Sequence, residues 1–235
     1  MKSFITWLLL TISAGAATSF NGSSQYGVIP EAGTTNYPVT VAAWFYSAVT
    51  NATGWGWGIQ CSSNINSGFI IGQSSLGVWV GRGGDTSSSS SVSGTSPSLP
   101  NTWTHVALVG FNPSNRVLWV NGIPENTNTT ARSFAAANRN GIGCRTTSTL
   151  ANYFNGRISD VATWNVALSD DELRALSGMG NPTMAMAPYK VRPQSVVACP
   201  ELEFDGNSAY SRNKVGTVLS FTNAPTPIAG PAIQR

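Results

Sequence analysis

Charged side chains are scarce in this sequence of 235 residues. Asp, Glu, Lys and Arg make up 10% of it, whereas an average soluble protein has about 25%. The net charge is only +3 and the basic residues do not cluster with aromatic residues, so we expect no nucleic-acid binding. Glycine, proline and stretches of Ser, Thr and Asn take the place of the charges. A neutral polar surface of this kind suits extracellular or particle-bound proteins, which meet sugars or other subunits.

Cysteine is also rare, and Cys61, Cys144 and Cys199 form no Cys-x-x-Cys pair. Their spacing therefore indicates neither a zinc site nor a redox pair. The odd count argues against a framework of disulfides. We expect buried free thiols, with one bridge between Cys61 and Cys144 as the alternative.

The sequence lacks the residue patterns of common catalytic sites. His105 is the single histidine, and strand alternation favours a packed, hydrogen-bonded side chain over a catalytic base. Neither a Gly-x-Ser-x-Gly motif nor a phosphate-binding glycine motif is present. The strong strand patterns hold no acid pair of the glycosidase kind; the one alternating set, Glu201, Glu203 and Asp205, lies in the Pro-rich C-terminal part. We expect a protein that is not an enzyme and that needs no cofactor.

The sequence does contain a succession of short strand patterns separated by turns. Val39–Tyr46 is rich in β-branched and aromatic residues. Trp103–Val109 alternates, and Asn121-Gly122 suits a type I′ turn. Such spacing is typical of a β-sandwich. Residues 83–97, which include five consecutive serines, have little to bury and are expected to form an exposed loop.

One helix is predicted after the last strong strand. Ser169 and Glu172 have the spacing of a capping box, in which each side chain satisfies a free backbone N–H at the helix start. The helix is expected from about Asp170 to Ser177, before Gly178. The acidic residues of its first turn, Asp170, Asp171 and Glu172, are therefore expected to stabilise the N-terminus of the helix.

The chain divides into three predicted segments. Residues 1–16 are apolar after Lys2 and end in small residues, which fits either a retained N-terminal arm or a signal peptide. Residues 17–178 form the predicted β domain. Residues 179–235 are rich in proline and poor in apolar residues, so we expect an extended tail that wraps its own domain or a neighbour.

Several segments carry a family resemblance: Ser19–Tyr26, Trp103–Ala107, Leu118–Gly122 and Phe154–Leu173. In kind and order they resemble the concanavalin A-like, laminin-G-like jelly rolls, over roughly residues 17–178. The resemblance implies an all-β, concanavalin A-like jelly-roll β-sandwich with one short C-terminal helix and an extended Pro-rich tail. It is less specific for function, because this fold hosts lectins, glycosidases, adhesion modules and virion proteins.

A narrower resemblance comes from Val191–Ala198. This segment is similar to the ending of small laminin-G-like proteins common among the structural genes of tailed phages. An aromatic pair often follows the alanine in that group, whereas Cys199-Pro200 follows it here. The resemblance implies a non-enzymatic virion structural protein that decorates or cements a capsid or tail at the virion surface. Both terminal segments would then contact other virion subunits, and we expect a homo-oligomer.

The alternative hypothesis is a secreted bacterial carbohydrate-binding, lectin-like module. Its candidate residues are Trp55 and Trp57, which are flanked by glycines and can stack on a sugar ring, and Arg82 and Asp85, which can bind hydroxyls. Packing of the two tryptophans inside the sandwich remains open as another interpretation. Asp85 alone makes a poor calcium site, because Ca²⁺ takes six to eight oxygen ligands.

Overall fold

The structure is a computed structural model that places most of the chain. It describes residues 13–29, 36–49, 56–62, 68–84, 89–133, 139–146, 150–198, 200–204, 208–211, 218–223 and 225–234.

Most of the described residues form β-strands. The strands from the first half of the chain are β1 (Ser13–Asn21), β2 (Tyr26–Ile29), β3 (Val39–Ser47), β4 (Gly56–Ser62), β5 (Gly68–Gln73), β6 (Val78–Gly84), β7 (Ser89–Pro97), β8 (Trp103–Asn112) and β9 (Asn115–Val120). The remaining strands are β10 (Ile123–Asn128), β11 (Arg139–Ile142), β12 (Arg145–Thr146), β13 (Leu150–Ala151), β14 (Asn155–Trp164), β15 (Val196–Ala198), β16 (Pro200–Phe204), β17 (Ser208–Ser211), β18 (Val218–Thr222) and β19 (Thr226–Ile233). The α-helix is α1 (Asp170–Ser177), and short 3₁₀ turns follow it at Gly178–Gly180, Pro182–Met184, Pro188–Lys190 and Pro193–Ser195.

Two antiparallel sheets pack face to face. Sheet A has the strand order β10-β9-β8-β3-β14-β1-β19, with β15 also paired to β14. Sheet B has the order β16-β17-β18-β2-β11-β4-β5-β6-β7, and β12 and β13 form a separate pair. The predicted all-β sandwich with one short helix is therefore confirmed.

The core between the sheets follows from strand alternation. In β3, Val39, Val41, Ala43 and Phe45 point inward and join one buried cluster, because successive side chains of a strand face opposite sides. Sheet B contributes its own inward residues to this cluster, including Ile59, Cys61, Phe69, Ile71 and Trp79.

The outer face of sheet A is covered by the chain that follows β14. Leu173 and Leu176 of α1 pack on Ala107 and Trp164. Trp164 donates its indole N–H to the carbonyl of Val191 at 2.8 Å. The predicted capping box is confirmed, with Ser169 as the N-cap and Glu172 as its partner. None of the helices in the described ranges is long and apolar enough to cross a membrane.

The prediction of an exposed loop over residues 83–97 was wrong in its second half. β7 is a strand antiparallel to β6, while residues 85–88 lie outside the described part of the chain. Ser89, Ser90 and Ser91 belong to this strand, and side chains of β10 bind the edge of β7 that faces away from β6. Glu125 accepts the backbone N–H groups of Thr95 and Ser96, and Asn128 donates to the carbonyl of Ser91.

Strands from residues 179–235 extend both sheets of the sandwich. β19 pairs with β1, β18 pairs with β2, and β15 pairs with β14. At the other terminus, Ser13 pairs with Ile233, and residues 1–12 lie outside the described ranges. The division of the chain into three segments, with boundaries after residues 16 and 178, stays a prediction.

Candidate functional site

A bulge in β4 brings Trp57 to the outer face of sheet B. Trp57 pairs with Gly72 while Ile59 pairs with Ile71, so Gly58 is the extra residue. Ile59 belongs to the core between the sheets. Trp57 instead forms a separate cluster with Ile70 and Val80, whose strand neighbours Ile71 and Trp79 point inward.

Glycines make this arrangement possible. A Cβ on Gly58 would lie 2.1 Å from Cε1 of Phe45, which points into the core. A Cβ on Gly72 would lie 2.9 Å from Cε3 of Trp57 and 2.3 Å from the carbonyl oxygen of Gly56. The close approach of these groups therefore requires glycine at both positions.

Of the two tryptophans predicted to bind a sugar, the structure describes only Trp57. Trp57 is only 1% exposed, and Trp55 lies outside the described residues. The burial of Trp57 favours packing over sugar stacking for that ring. Its packing is on the outer face of sheet B, however, and not between the two sheets.

The segment that follows β11 crosses the outer face of sheet B beside Trp57. The backbone N–H of Gly143 donates to the carbonyl of Gly58 at 2.8 Å. The backbone N–H of Trp57 donates to the carbonyl of Asn152 at 2.9 Å. Thr146 lies over β11, since a Cβ on Gly141 would be 2.3 Å from its Cγ2. These contacts hold β12 and β13 against the sheet.

Two half-buried tyrosines meet at this place. The rings of Tyr26 and Tyr153 have centroids 6.4 Å apart and planes tilted by 56°. Tyr26 points outward because Gly27, beside it, pairs with the core residues Ile142 and Phe221. Burial raises the pKa of Tyr153, and Cys144 and Tyr26 add to that effect. Both tyrosines have partly exposed aromatic faces and hydroxyls that can bind a polar ligand.

Arg82 and Arg145 complete the described part of this face. Arg82 lies opposite Ile70 on β5 and donates its Nε–H to Oγ of Ser89 at 2.7 Å. Burial lowers the pKa of Arg82, and the positive charge of Arg145 lowers it further. Nε of Arg145 is buried and has no hydrogen-bond partner. Asp85, predicted to act with Arg82, lies outside the described residues.

Tyr26, Tyr153 and Arg145 were not among the candidates from the sequence. The alternation in Tyr26-Gly27-Val28 is a signal that could have placed Tyr26 on an outer face. Tyr153 and Arg145 reach the site through the path of the chain between β11 and β14, for which the sequence gives no local pattern.

Other titratable groups do not form a catalytic centre in the described part of the protein. Cys61 and Cys144 are free and buried, so the alternative of a bridge between them was wrong; Cys199 lies outside the described residues. Burial raises the pKa of Cys61 to about 11 and that of Cys144 to about 12, which keeps both thiols protonated. The described residues include no cluster of three or more His, Cys, Asp and Glu side chains that could hold a metal ion. The side chains of Glu201 and Glu203, and Asp205 as a whole, lie outside the description.

His105 is a packed side chain on the outer face of sheet A. It is 3% exposed, and its ring lies 5.4 Å from that of Trp44 in an edge-to-face arrangement. Burial lowers its pKa from 6.5 to about 3. The packed side chain predicted from the sequence is confirmed. A histidine that stays neutral and inaccessible at neutral pH is a poor general base.

A groove of about 310 Å³ lies between the ends of β7, β8 and β10. Leu99 and Ile123 line it and are half exposed. Its carboxylate, Glu125, is already bound to the backbone of β7. The groove therefore offers a ligand neither an aromatic face nor a free charged group, and the outer face of sheet B is the better candidate.

Comparison with known proteins agrees with this fold. A family profile described as the concanavalin A-like lectin/glucanases superfamily matches residues 21–174. The chain belongs to this superfamily. The resemblance inferred from the sequence motifs is thereby confirmed at the level of the fold. Comparison with curated protein sequences gives no significant match.

Several proteins of known structure resemble the chain in fold at low sequence identity. A putative carbohydrate binding protein from Bacteroides ovatus has a TM-score of 0.65 and 17% identity, covering 93% of this chain and 61% of that protein. The heptameric SAP-like pentraxin from Limulus polyphemus has a TM-score of 0.56 and 19% identity, over 70% of this chain and 82% of the pentraxin chain. Domains LG4-5 of the mouse laminin alpha1 chain have a TM-score of 0.51 and 14% identity, over 64% of this chain and 41% of the laminin chain. The chain thus spans 61% of the length of the Bacteroides protein.

Replacement of Trp57 by alanine tests its place in the packing. We expect Trp57→Ala to lower the free energy of unfolding by about 3–5 kcal/mol, because it removes a buried aromatic side chain. Leu76→Ala is the control, since Leu76 is 84% exposed, and a change within about 0.5 kcal/mol is expected there. Denaturant unfolding of both variants gives the comparison. An equally small effect for Trp57→Ala would contradict the packing described above.

The burial of His105 has a consequence for pH dependence. The unfolded chain binds a proton at His105 near pH 6.5, whereas the folded protein does so only near pH 3. The unfolded state therefore binds more protons between these values, and this residue lowers stability as the pH falls through that range. Because His105 is the one histidine, its imidazole NMR signals can be followed directly. We expect no titration between pH 8 and 5; a midpoint between pH 6 and 7 would show that the ring is accessible.

Proposed function

We propose that this protein is a non-enzymatic, lectin-like module that binds carbohydrate on the outer face of sheet B. The observation that carries the proposal is that two half-buried tyrosines, Tyr26 and Tyr153, and two arginines, Arg82 and Arg145, lie on that one face. A sugar offers apolar C–H surfaces to aromatic rings and hydroxyls to phenol and guanidinium groups. The similarity to a putative carbohydrate binding protein supports the same conclusion.

The chemistry of the face suits binding better than cleavage. Glycoside hydrolysis needs two carboxylates on either side of the scissile bond. The charged groups described on this face are arginines, and arginine neither donates nor accepts a proton near neutral pH. Trp55 and Asp85, the other candidates from the sequence, lie outside the described residues, and their role in ligand binding stays a prediction. The proposal includes an extracellular location, where such a face would meet glycans.

The narrower hypothesis of a phage virion subunit stays a prediction. It depends in part on terminal segments that contact neighbouring subunits. In the described part of residues 179–235, β15, β18 and β19 pair with the protein's own sheets. Contacts with other virion subunits, or within a homo-oligomer, would have to form in addition to this pairing.

Aromatic substitutions test the proposed function on a glycan array. We expect wild-type protein to bind a defined set of glycans, and Tyr26→Ala and Tyr153→Ala each to weaken that binding about tenfold, as expected for the loss of an aromatic contact. The matched control is Tyr46→Ala. Tyr46 also sits in an aromatic pair, 5.4 Å from Trp103, but on sheet A. Circular dichroism confirms that each variant is folded.

Two results would contradict the proposed function. One is a wild-type protein that binds no glycan on the array. The other is equal binding by the Tyr153→Ala variant and wild type together with a loss in Tyr46→Ala, which would move the site to sheet A.

A further inference from the structure

Two arginines lie on the outer face of sheet B. Arg82 projects from β6 next to Val80 and opposite Ile70. Arg145 lies on β12, where the next residue, Thr146, packs over Gly141. Gly141 is in the same row across the sheet as Arg82, through Gln60 and Ile70, and the charge of Arg145 acts on Arg82. Like charges held together on an apolar floor repel each other more strongly than in water, because the local dielectric is low.

Neither arginine is neutralised by an acid in the described structure. The described ion pairs join Arg174 to Asp170 and Asp171, and Arg192 to Glu172, all at α1 beside sheet A. Arg82 donates to a neutral hydroxyl, that of Ser89. Nε of Arg145 is buried and donates to no acceptor. The charges of both guanidinium groups are therefore left without a counter-charge in the described structure, and a bound anion would supply one.

A third arginine, Arg116, differs from these two because its guanidinium group is bound by other residues of the fold. Arg116 is 1% exposed and is also without a carboxylate partner. Its Nε also has no acceptor, but its terminal nitrogens are bound within the fold, because they donate to Ser90 at 2.9 Å, to Asn128 at 2.5 Å and to Tyr37 at 3.3 Å. Arg116 is therefore a structural residue, whereas Arg82 and Arg145 keep donors for a ligand.

We propose that the glycan bound by this face is acidic, and that Arg82 and Arg145 together bind its anionic group, a carboxylate or a sulfate ester. This inference rests on the proposed carbohydrate-binding function. Guanidinium groups bind such oxyanions through pairs of parallel hydrogen bonds. Tyr153, two residues beyond the strand partner of Arg145, and Tyr26, whose ring meets that of Tyr153, contact the sugar rings of the same bound glycan.

Calorimetric titration of the full chain with matched oligosaccharides tests this inference. The probes are uronic-acid, sialic-acid and sulfated oligosaccharides, each compared with its carboxyl-reduced or desulfated neutral counterpart. We expect at least one acidic member to bind ten times or more tighter than its neutral counterpart, with an affinity that falls as salt is added. If the carboxylated oligosaccharides bind tighter than the sulfated ones, the anionic group is a carboxylate; the reverse order identifies a sulfate ester.

Substitution of the arginines tests whether Arg82 and Arg145 cause the preference for acidic glycans. Arg82→Gln and Arg145→Gln should each weaken binding of the acidic glycan about tenfold or more and change binding of its neutral counterpart less than twofold. Arg145→Lys keeps the charge and should restore part of the affinity. The matched control is Arg157→Gln. Arg157 lies over the ring of Tyr46 at 4.5 Å on sheet A, and its loss should leave binding of the acidic glycan unchanged.

The outcomes separate this inference from the proposed function. Equal binding of acidic and neutral glycans, or acidic binding that survives both glutamine substitutions, would overturn the inference and leave the carbohydrate-binding function standing. Equally tight binding of inorganic polyphosphate would overturn it too, because the face would then recognise charge without sugar. Failure of all the glycans to bind would overturn both.

Discussion

The extra residue at Gly58 decides what sheet B presents on its outer face. Without that bulge, strand alternation would point Trp57 between the sheets with Ile59. With it, the indole packs on Ile70 and Val80 and forms an apolar floor outside the core. The segment after β11 then lies against this floor through hydrogen bonds to Trp57 and Gly58. That segment carries Arg145 and Tyr153, so the proposed site depends on the bulge.

The two outer faces of the sandwich have different roles. On sheet A, α1 and the chain after it cover the strands with apolar contacts, and the ion pair between Glu172 and Arg192 joins the two parts of that cover. On sheet B, the charged groups described at the site are arginines without acid partners, and aromatic rings lie beside them. In a chain with so few charged residues, two arginines on one face without an acid partner among the described residues favour a ligand that neutralises them.

Much of the fold could be predicted because its signals are local. Alternation marked β3, and the spacing of Ser169 and Glu172 marked the start of α1. The strand β7 could not be predicted in this way, because its serines are held by Glu125 and Asn128 from β10. Arg82 was predicted as a site residue, but its partner Arg145 was not. Their proximity results from the path of the chain between β11 and β14, which is a tertiary feature.

The central claim is that the outer face of sheet B binds an acidic glycan through Arg82 and Arg145. A crystal structure of the protein with an acidic oligosaccharide tests it most directly. The expected result is an anionic group within hydrogen-bonding distance of both guanidinium groups, with the sugar ring against Tyr153. An oligosaccharide seated instead in the groove between Leu99 and Ile123, or on the outer face of sheet A, would contradict the claim.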